Sequence, residues 1–404
     1  MKRVIIFSVI ILLILFGVIF FITQQNSSDS KTENEQNINS ERNEEVIEEE
    51  RQIIREDRDA NDNCEGTKIK FDYSPVNLEK TSVFLPLGLM TGSHVTPIDH
   101  HYFQNFNNNK PDIEVYSPGD GYITDIQHMP NAKAGEDYRL VIQHTCTISS
   151  IYIHIYFLSD NLKQAIGDKD YLSAKIPVKA GELIGYYEKN VDYNLVDEEV
   201  TLNGFIVPEH YRAEPWKIHV PNTYEYFNEP IRSKLVEEGL RTTEPISGKI
   251  DYDIDGKLVG NWFLEGSDGY SGDYTNNERY WLGHLSIVYD AYDTDTIILS
   301  IANYEGEDSR QYAVKGNSPD PASIGVDSGL IKYELVRYNY FTSEGKLWDS
   351  KTLAKGIRIE SNGMVEGVVL AQLIENRRLK FEVFHGKVGS QVNGFSDKAK
   401  IYER

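Results

Sequence analysis

The stretch from Tyr138 to Leu158, YRLVIQHTCTISSIYIHIYFL, alternates apolar and polar residues over most of its length. A two-residue period is typical of a β-strand, and the interruption at residues 147–150 predicts a hairpin turn. Residues two apart on a strand project from the same face, so we expect Tyr152 and His154 to point the same way, with His144 facing them. The hairpin therefore predicts a small polar cluster on one sheet face.

Alternating runs of this kind recur through the rest of the chain, which contains 26 tyrosines. Helical periodicity is confined to Asp160–Ile166 and Ile231–Gly239. Because 404 residues are too many for one ordinary core, we expect two folded domains. The sequence predicts a mainly β fold, in which an antiparallel β-sheet domain is followed by a second domain that is a β-barrel or a β-sandwich.

The chain is strongly acidic, with 63 Asp and Glu against 41 Lys and Arg and a formal net charge of -22. A field of this sign repels nucleic acid phosphates and anionic lipid headgroups. We therefore expect no nucleic-acid partner. Cations, basic proteins and neutral polymers remain compatible with this charge.

The amino terminus carries an apolar run from Val4 to Ile22, directly after Lys2 and Arg3. This run is long enough to cross roughly 30 Å of hydrocarbon as a helix, and no small-residue cleavage site follows it. We interpret it as an uncleaved signal anchor that holds the later domains outside the cytoplasm; a cleaved signal peptide is the alternative. The acidic, polar segment that follows cannot bury a core and is interpreted as a disordered stalk.

These observations divide the chain into five segments. They are a signal anchor or transmembrane helix at residues 1–25, an acidic stalk at 26–66, an antiparallel β domain at 67–228, a helical linker at 229–247 and a C-terminal β-barrel or β-sandwich at 248–404.

Most of the ten histidines fall in the first β domain. Two segments are notable, GSHVTPIDHH at residues 92–101 and WKIH at residues 216–219. Neutral imidazole is the commonest zinc ligand and a carboxylate often joins it, so these two segments are candidates for a zinc site.

The order of several landmarks then resembles the lysostaphin/LytM type of zinc endopeptidase over about residues 82–222. The landmarks are VYSPGDGYITDI at 115–126, LVIQHTCTISSIYIHI at 140–155, VKAGELIGY at 178–186 and KIHV at 217–220. This resemblance implies an antiparallel sheet with a zinc-bound water that attacks a peptide bond in the cell envelope. In that family the ligands come from an HxxxD motif and from the second histidine of a late HxH pair.

Carried over residue by residue, the resemblance implies zinc ligands at Asp99, His219 and His94. It places His154 at a catalytic position, with Lys217 standing where the family has the first histidine of its late pair. His144, Tyr152 and His100 would then lie beside the site or line the groove. Without the resemblance, Asp99 and the histidines around it are equally well interpreted as a polar turn, and His154 as a hydrogen-bonded core residue.

Two departures from the family pattern bear on activity. His94 precedes Asp99 by five residues instead of four, which changes the face it points to unless a bulge at Thr96–Pro97 absorbs the extra residue. The ammonium of Lys217 can stabilise an oxyanion, but it is a poor general base and would repel Zn²⁺.

Three functions follow from these observations. The departures favour a degenerate, non-catalytic member whose groove binds a cell-envelope polymer or a surface protein. An active zinc endopeptidase that cuts envelope peptides is the first alternative. The second alternative is a lipocalin-like carrier of a small ligand, based on Gly260-Asn261-Trp262 at the start of the C-terminal domain, although a core tryptophan explains that signature equally well.

The chain has two cysteines, Cys64 and Cys146. Both would lie outside the cytoplasm, where disulfides persist, so they are candidates for a bond that ties the stalk to the hairpin. A buried free thiol at Cys146 is the alternative.

Overall fold

A computed structural model describes residues 64, 66–106, 112–129, 136–272 and 282–404. Residues 65–404 form one compact unit. The expected signal anchor at residues 1–25 and nearly all of the expected stalk at 26–66 lie outside the described residues. Among the residues that are described, no helix is long and apolar enough to span a membrane.

The first part of this unit, residues 67–228, is called the sheet module here. Its strands are β1 (Val83–Leu85), β2 (His101–Gln104), β3 (Ile113–Tyr116), β4 (Gly121–His128), β5 (Tyr138–Gln143), β6 (Ile148–Ile155), β7 (Phe157–Leu158), β8 (Tyr171–Val178), β9 (Leu183–Tyr187) and β10 (Asn190–Asp197). One α-helix, α1 (Asp160–Ile166), follows β7, and a second, α2 (Ile231–Glu238), lies just beyond the sheet module.

Seven of these strands form one antiparallel sheet in the order β1-β2-β10-β6-β5-β4-β8. The remaining three form a small sheet in the order β3-β9-β7. The predicted hairpin is the β5–β6 pair, which lies next to β10 in the middle of the large sheet. Its apolar positions, including Leu140, Ile142 and Tyr152, are buried in the core of the module. The antiparallel sheet expected from the sequence is therefore present.

The second part, called the barrel module, is an eight-stranded closed barrel, which decides between the barrel and the sandwich left open by the sequence. Its strands are β11 (Gly260–Leu264), β12 (His284–Tyr289), β13 (Ile297–Ile301), β14 (Arg310–Val314), β15 (Ile331–Phe341), β16 (Arg358–Glu375), β17 (Arg378–His385) and β18 (Lys400–Glu403). Each strand pairs with the next in the chain, and β18 closes the ring on β11.

The inward positions of the barrel carry large apolar side chains at every second residue. Leu285 and Ile287 of β12, Val369 of β16 and Phe381 of β17 belong to one buried cluster. Alternation of this kind fills the interior of a small barrel with side chains. The interior of this barrel is a packed core.

Alternating apolar and polar residues also predict strands at Val200–Val207 and Lys217–Val220, and neither strand is present in the structure. The segment at Lys217–Val220 is not a strand, because Pro215–His219 forms a 3₁₀ helix that begins at a proline. The predicted strand at Val200–Val207 is a series of turns, and the strand next to it in the chain, β10, was not predicted. At Pro215, the proline ring fixes φ and removes an N–H donor, which favours the first turn of a helix over a strand.

Trp262 anchors the start of the barrel. The guanidinium of the buried Arg404 lies 4.0 Å from the centroid of the Trp262 ring and 3.4 Å, nitrogen to oxygen, from Asp253 Oδ1. The same guanidinium donates to the carbonyl oxygens of Ile254 and Lys257. Burial raises the pKa of Asp253 to about 6, although the charge of Arg404 acts in the opposite direction. Arg404 therefore joins the last strand to the segment that leads into the first.

We expect Arg404→Leu to destabilise the protein by about 3–5 kcal/mol, because it leaves the Asp253 carboxylate buried without its countercharge. The free energy of unfolding in urea, followed by tryptophan fluorescence, measures this loss. The double variant Arg404→Leu/Asp253→Asn is the matched control and is expected to recover part of the stability. Equal losses in the single and double variants would contradict the role given to the ion pair.

Candidate functional site

The Asp99 carboxylate lies at the centre of a buried polar cluster. Its Oδ1 accepts from Lys217 Nζ at 2.8 Å and lies 3.3 Å from His100 Nδ1. Its Oδ2 accepts from Trp216 Nε1 and from Asn194 Nδ2, both at 3.1 Å. Asp99 is only 3% exposed. Both of its oxygens are thus engaged by donors of the protein itself.

Lys217 provides the positive charge that balances Asp99. Its Nζ also lies 3.1 Å from Glu214 Oε2 and 4.4 Å from the ring centroid of Tyr270, which belongs to the loop after β11. Burial acts to lower the pKa of Lys217, but the charges of Asp99 and Glu214 outweigh it and raise the pKa above its ordinary value. Lys217 is therefore a fixed cation at neutral pH.

Asp99 is the first carboxylate of a chain of alternating acids and histidines. His100 Nε2 lies 3.3 Å from Asp192 Oδ2, and His154 Nε2 lies 3.7 Å from the same oxygen. His154 Nδ1 in turn lies 2.9 Å from Asp137 Oδ2. We call these five residues, together with Lys217, the polar cluster. It runs from the buried ammonium to the imidazole of His154, whose side chain is 35% exposed.

Three local features of the backbone bring the cluster together. Asp192 and Asn194 are two apart on β10 and share its polar face. Asp99 and His100 lie in the turn that leads into β2, which pairs with β10. The 3₁₀ helix Pro215–His219 turns Lys217 inward, where it is buried.

His154 occupies a β-bulge between β6 and β5. The register between the two strands shifts between Tyr138 and Leu140, so that Ile153 and His154 lie opposite a single residue. The φ angle of His154 is 71°, in the left-handed region. A residue other than glycine in this region carries strain of order 1–3 kcal/mol, and such strain is concentrated at functional sites.

The bulge corrects the expectation that Tyr152 and His154 point the same way. Tyr152 is fully buried in the core and donates to the Tyr116 carbonyl, whereas His154 faces Asp137 and Asp192. His144 does not face His154 either. Its Nδ1 lies 2.9 Å from the Asp120 carbonyl and its Nε2 lies 3.0 Å from the Ser150 hydroxyl. Tyr152 and His144 therefore support the sheet and lie outside the polar cluster.

The remaining expected zinc ligands are placed differently from the family pattern. His94 lies in a turn rather than a strand, with its ring centroid 6.4 Å from that of His100, so the argument from strand faces does not apply to it. The Nδ1 of His219 lies 2.6 Å from the Val200 carbonyl oxygen. Among the described residues, no group of three or more His, Cys, Asp or Glu side chains is arranged to hold a metal ion.

The donor set at Asp99 does not fit a zinc ion. A metal there would share Asp99 Oδ1 with an ammonium 2.8 Å away, and two like charges at such a distance in a buried site repel strongly. The zinc site that the resemblance implies is therefore not formed by the arrangement of these residues.

Four histidines of the module have pKa values shifted in opposite directions. A hydrogen bond to Asp137 raises the pKa of His154, and the charge of Asp192 raises the pKa of His100 against the effect of burial. Burial lowers the pKa of His94 and of His144 to about 4. The cluster thus favours imidazolium at His100 and His154, whereas burial favours neutral imidazole at His94 and His144.

Sequence reasoning missed several members of the site. Asp192, Asn194, Asp137, Glu214 and Tyr270 were not identified. Asp192 and Asn194 carried a readable signal, because NVDYNLVD at residues 190–197 alternates polar and apolar residues. Asp137 and Tyr270 carried none, since only the fold brings them near His154 and Lys217.

Both Cys64 and Cys146 are disulfide-bonded in the structure, and the described residues include no free cysteine.

Comparison with known proteins gives little beyond these observations. No protein-family model matches the chain, and no curated protein matches it. Among solved structures, a zinc-containing peptidase from Vibrio cholerae is similar over 32% of this chain, with 18% identity and a TM-score of 0.24. A structure of the SpoIIQ–SpoIIIAH pore-forming complex is similar over 42% of this chain, with 12% identity and a TM-score of 0.26.

The two likenesses differ in how much of the other chain they cover. This chain covers 38% of the Vibrio peptidase and 96% of the matched chain from the pore-forming complex. Neither likeness decides the function of this chain. Its own fold and site define it as a mainly β protein, in which a seven-stranded sheet and a closed barrel enclose a buried lysine–aspartate pair.

We expect Lys217→Met to destabilise the protein by about 3–5 kcal/mol, because it leaves the buried Asp99 carboxylate without its cation. Urea unfolding at neutral pH measures the loss. The variant Lys217→Met/Asp99→Asn removes both charges and is expected to be more stable than Lys217→Met alone. A single variant as stable as the parent protein would show that Lys217 does not balance Asp99.

The raised pKa of His154 predicts a pH-dependent contribution to stability. A histidine whose folded-state pKa is raised stabilises the fold below its unfolded pKa, and this contribution is lost as pH rises through the folded value. We therefore expect His154→Gln to lower the urea midpoint more at about pH 6 than at about pH 9. An equal difference at both pH values would contradict the ion pair with Asp137.

Proposed function

We propose that this protein is a non-catalytic, peptidase-like binding protein that is held at the cell envelope by its amino-terminal segment. The observation that carries the proposal is the contact of Lys217 Nζ with Asp99 Oδ1, at 2.8 Å, in a buried position. A protein cation takes the position next to the carboxylate where the family resemblance would place a metal.

The groups that remain are poorly suited to hydrolysis. Lys217 keeps its proton because its pKa is raised, so it cannot act as a general base at neutral pH. The two Asp99 oxygens already accept from Lys217, Trp216 and Asn194. Breaking such a buried, fully hydrogen-bonded pair to admit another cation would cost several kcal/mol, by analogy with other buried ion pairs.

A binding role is supported by His154, where the polar cluster reaches the protein surface. His154 is the most exposed residue of the polar cluster. The bulge and Asp137 hold it in a strained backbone conformation. Backbone strain of this kind persists only where the surrounding structure holds the residue in place, and such residues are concentrated at functional sites. A cell-envelope polymer or a surface protein is the class of partner that we propose for this face.

The location of the protein rests on the sequence. The apolar run Val4–Ile22 after Lys2 and Arg3 supports a single amino-terminal anchor with both modules outside the cytoplasm. Disulfide-bonded cysteines fit an oxidising compartment.

The two alternative functions have less support. An active zinc endopeptidase would require Lys217 to leave Asp99, and a small-ligand carrier would require space in a barrel whose inward positions are filled by apolar side chains. The signature tryptophan, Trp262, is explained by its contact with Arg404.

The proposal predicts that the purified full-length chain, dialysed against Zn²⁺, retains far less than one zinc per chain. It also predicts that His219→Ala retains as much as the parent protein. Elemental analysis after removal of free metal measures both. Neither protein is expected to cleave envelope peptides, because the residues at Asp99 do not form a metal site.

Stoichiometric zinc that disappears in His219→Ala, together with cleavage of envelope peptides by the parent protein alone, would contradict the proposal. That result would establish the endopeptidase instead. Lys217→Ala is the informative companion variant, since it shows whether removing the ammonium is enough to allow metal at Asp99.

A further inference from the structure

A cavity of about 530 Å³ lies where the sheet module meets the barrel module, outside the polar cluster. One wall comes from β1, β2 and the loop after β1. The other comes from β14, β15 and the loop after β15. Its volume is within the range of about 300–1,000 Å³ that is typical of ligand pockets in proteins. We call it the cleft.

The barrel side of the cleft is an aromatic wall. The ring of Tyr340 packs edge-on against Tyr338 at 5.6 Å, Tyr292 at 5.3 Å and Trp348 at 6.1 Å between centroids. Trp348 Nε1 donates to the Thr352 carbonyl oxygen, and Tyr340 Oη donates to Asp290 Oδ2. These two hydrogen bonds hold the rings in place. Rigid tyrosine and tryptophan side chains are the residues that most often dominate the energy of protein interfaces.

The opposite wall is apolar and adaptable. It is formed by Leu85, Leu89, Met90 and Phe106 of the sheet module, all of which are partly exposed. Methionine fits apolar side chains of different shapes because its thioether is flexible and polarisable. Leu85, Leu89 and Phe106 also pack against the cluster of Tyr292 and Trp348, so both walls present apolar groups to the cleft.

The polar groups at the cleft are cationic or neutral. Arg310, Arg337, Gln104 and Gln311 line it, and the described lining residues include no carboxylate. Arg337 is within 3.1 Å of Glu366 through one guanidinium nitrogen, and a guanidinium has five N–H donors. In a chain of net charge -22, a carboxylate-free cleft with two exposed arginines is a local site for anions.

We propose that the cleft binds an extended peptide segment of a partner protein, in which an acidic residue lies next to large apolar residues. The two arginines receive the carboxylate, the two apolar walls receive the apolar side chains, and the Gln104 amide is suited to hydrogen bonds with a peptide backbone. A neutral glycan would use the aromatic wall but would leave the arginines unused.

This inference rests on the proposed binding function and gives it a surface and a partner chemistry. It does not depend on the polar cluster, since none of the residues of that cluster line the cleft. The two ideas can therefore fail separately.

A random peptide library displayed on phage, selected on the full-length chain, tests the proposal. We expect the selected sequences to contain Asp or Glu within two positions of Trp, Phe, Leu or Met. A synthetic peptide of the most enriched sequence then serves as the probe in fluorescence anisotropy. Its matched form, with Asn or Gln in place of each acid, is expected to bind about tenfold more weakly or worse.

The variant Arg310→Gln/Arg337→Gln is expected to weaken binding of the acidic probe by about tenfold or more. Both arginines are exposed, so the variant is expected to fold. Arg232→Gln/Arg358→Gln is the matched control, because it removes the same charge from exposed positions outside the cleft. This control is expected to bind the probe as the parent protein does.

Selected peptides without acidic residues, equal binding by the Arg310/Arg337 variant, or binding of purified glycan strands in place of peptides would each overturn the inference. If the cleft variants leave peptide binding unchanged while the chain still lacks zinc, only the cleft proposal fails. Stoichiometric zinc with peptidase activity would instead remove the proposed function, whatever the cleft binds.

Discussion

The buried contact between Lys217 and Asp99 determines how the rest of the site is built. Two opposite charges can be taken out of water only if their remaining hydrogen-bonding groups are also satisfied. Here Trp216, Asn194 and His100 satisfy the remaining hydrogen-bonding positions of the Asp99 carboxylate. Glu214 adds a second negative charge beside the Lys217 ammonium. These partners come from the turn before β2, from β10 and from the 3₁₀ helix at Pro215, so a single ion pair fixes three segments that are distant in the sequence.

The barrel module takes part in the same site. Tyr270 places its ring against Lys217, and Asn261 of β11 donates to the hydroxyl of Tyr211 in the sheet module. Phe205, Tyr211 and Val220 of the sheet module share an apolar cluster with Phe263 and Tyr270. The two modules therefore pack as one unit, and this packing keeps water away from the lysine–aspartate pair. Along the same junction, the walls separate enough to leave the cleft, which is lined by exposed arginines and by aromatic rings.

Much of the architecture follows from local sequence patterns. Alternation of apolar and polar residues predicted the β5–β6 hairpin, the mainly β composition and a second β module, and the helices near residues 160 and 231 were found from their periodicity. The errors have local causes as well. Pro215 starts a 3₁₀ helix where a strand was expected, and a bulge at His154 turns its side chain away from the face of Tyr152. A bulge inserts one residue into a strand without any distinctive sequence pattern.

The sequence by itself determined which chemical groups were available: Asp99, His100, His154 and Lys217, within a strongly acidic chain. Tertiary structure alone decided what those groups do. Whether a lysine repels a metal or takes the place of one depends on its distance from a carboxylate, and that distance is set by segments more than a hundred residues apart. Burial then fixes the charge states, because desolvation and neighbouring charges act through space and leave no trace in the spacing of residues along the chain.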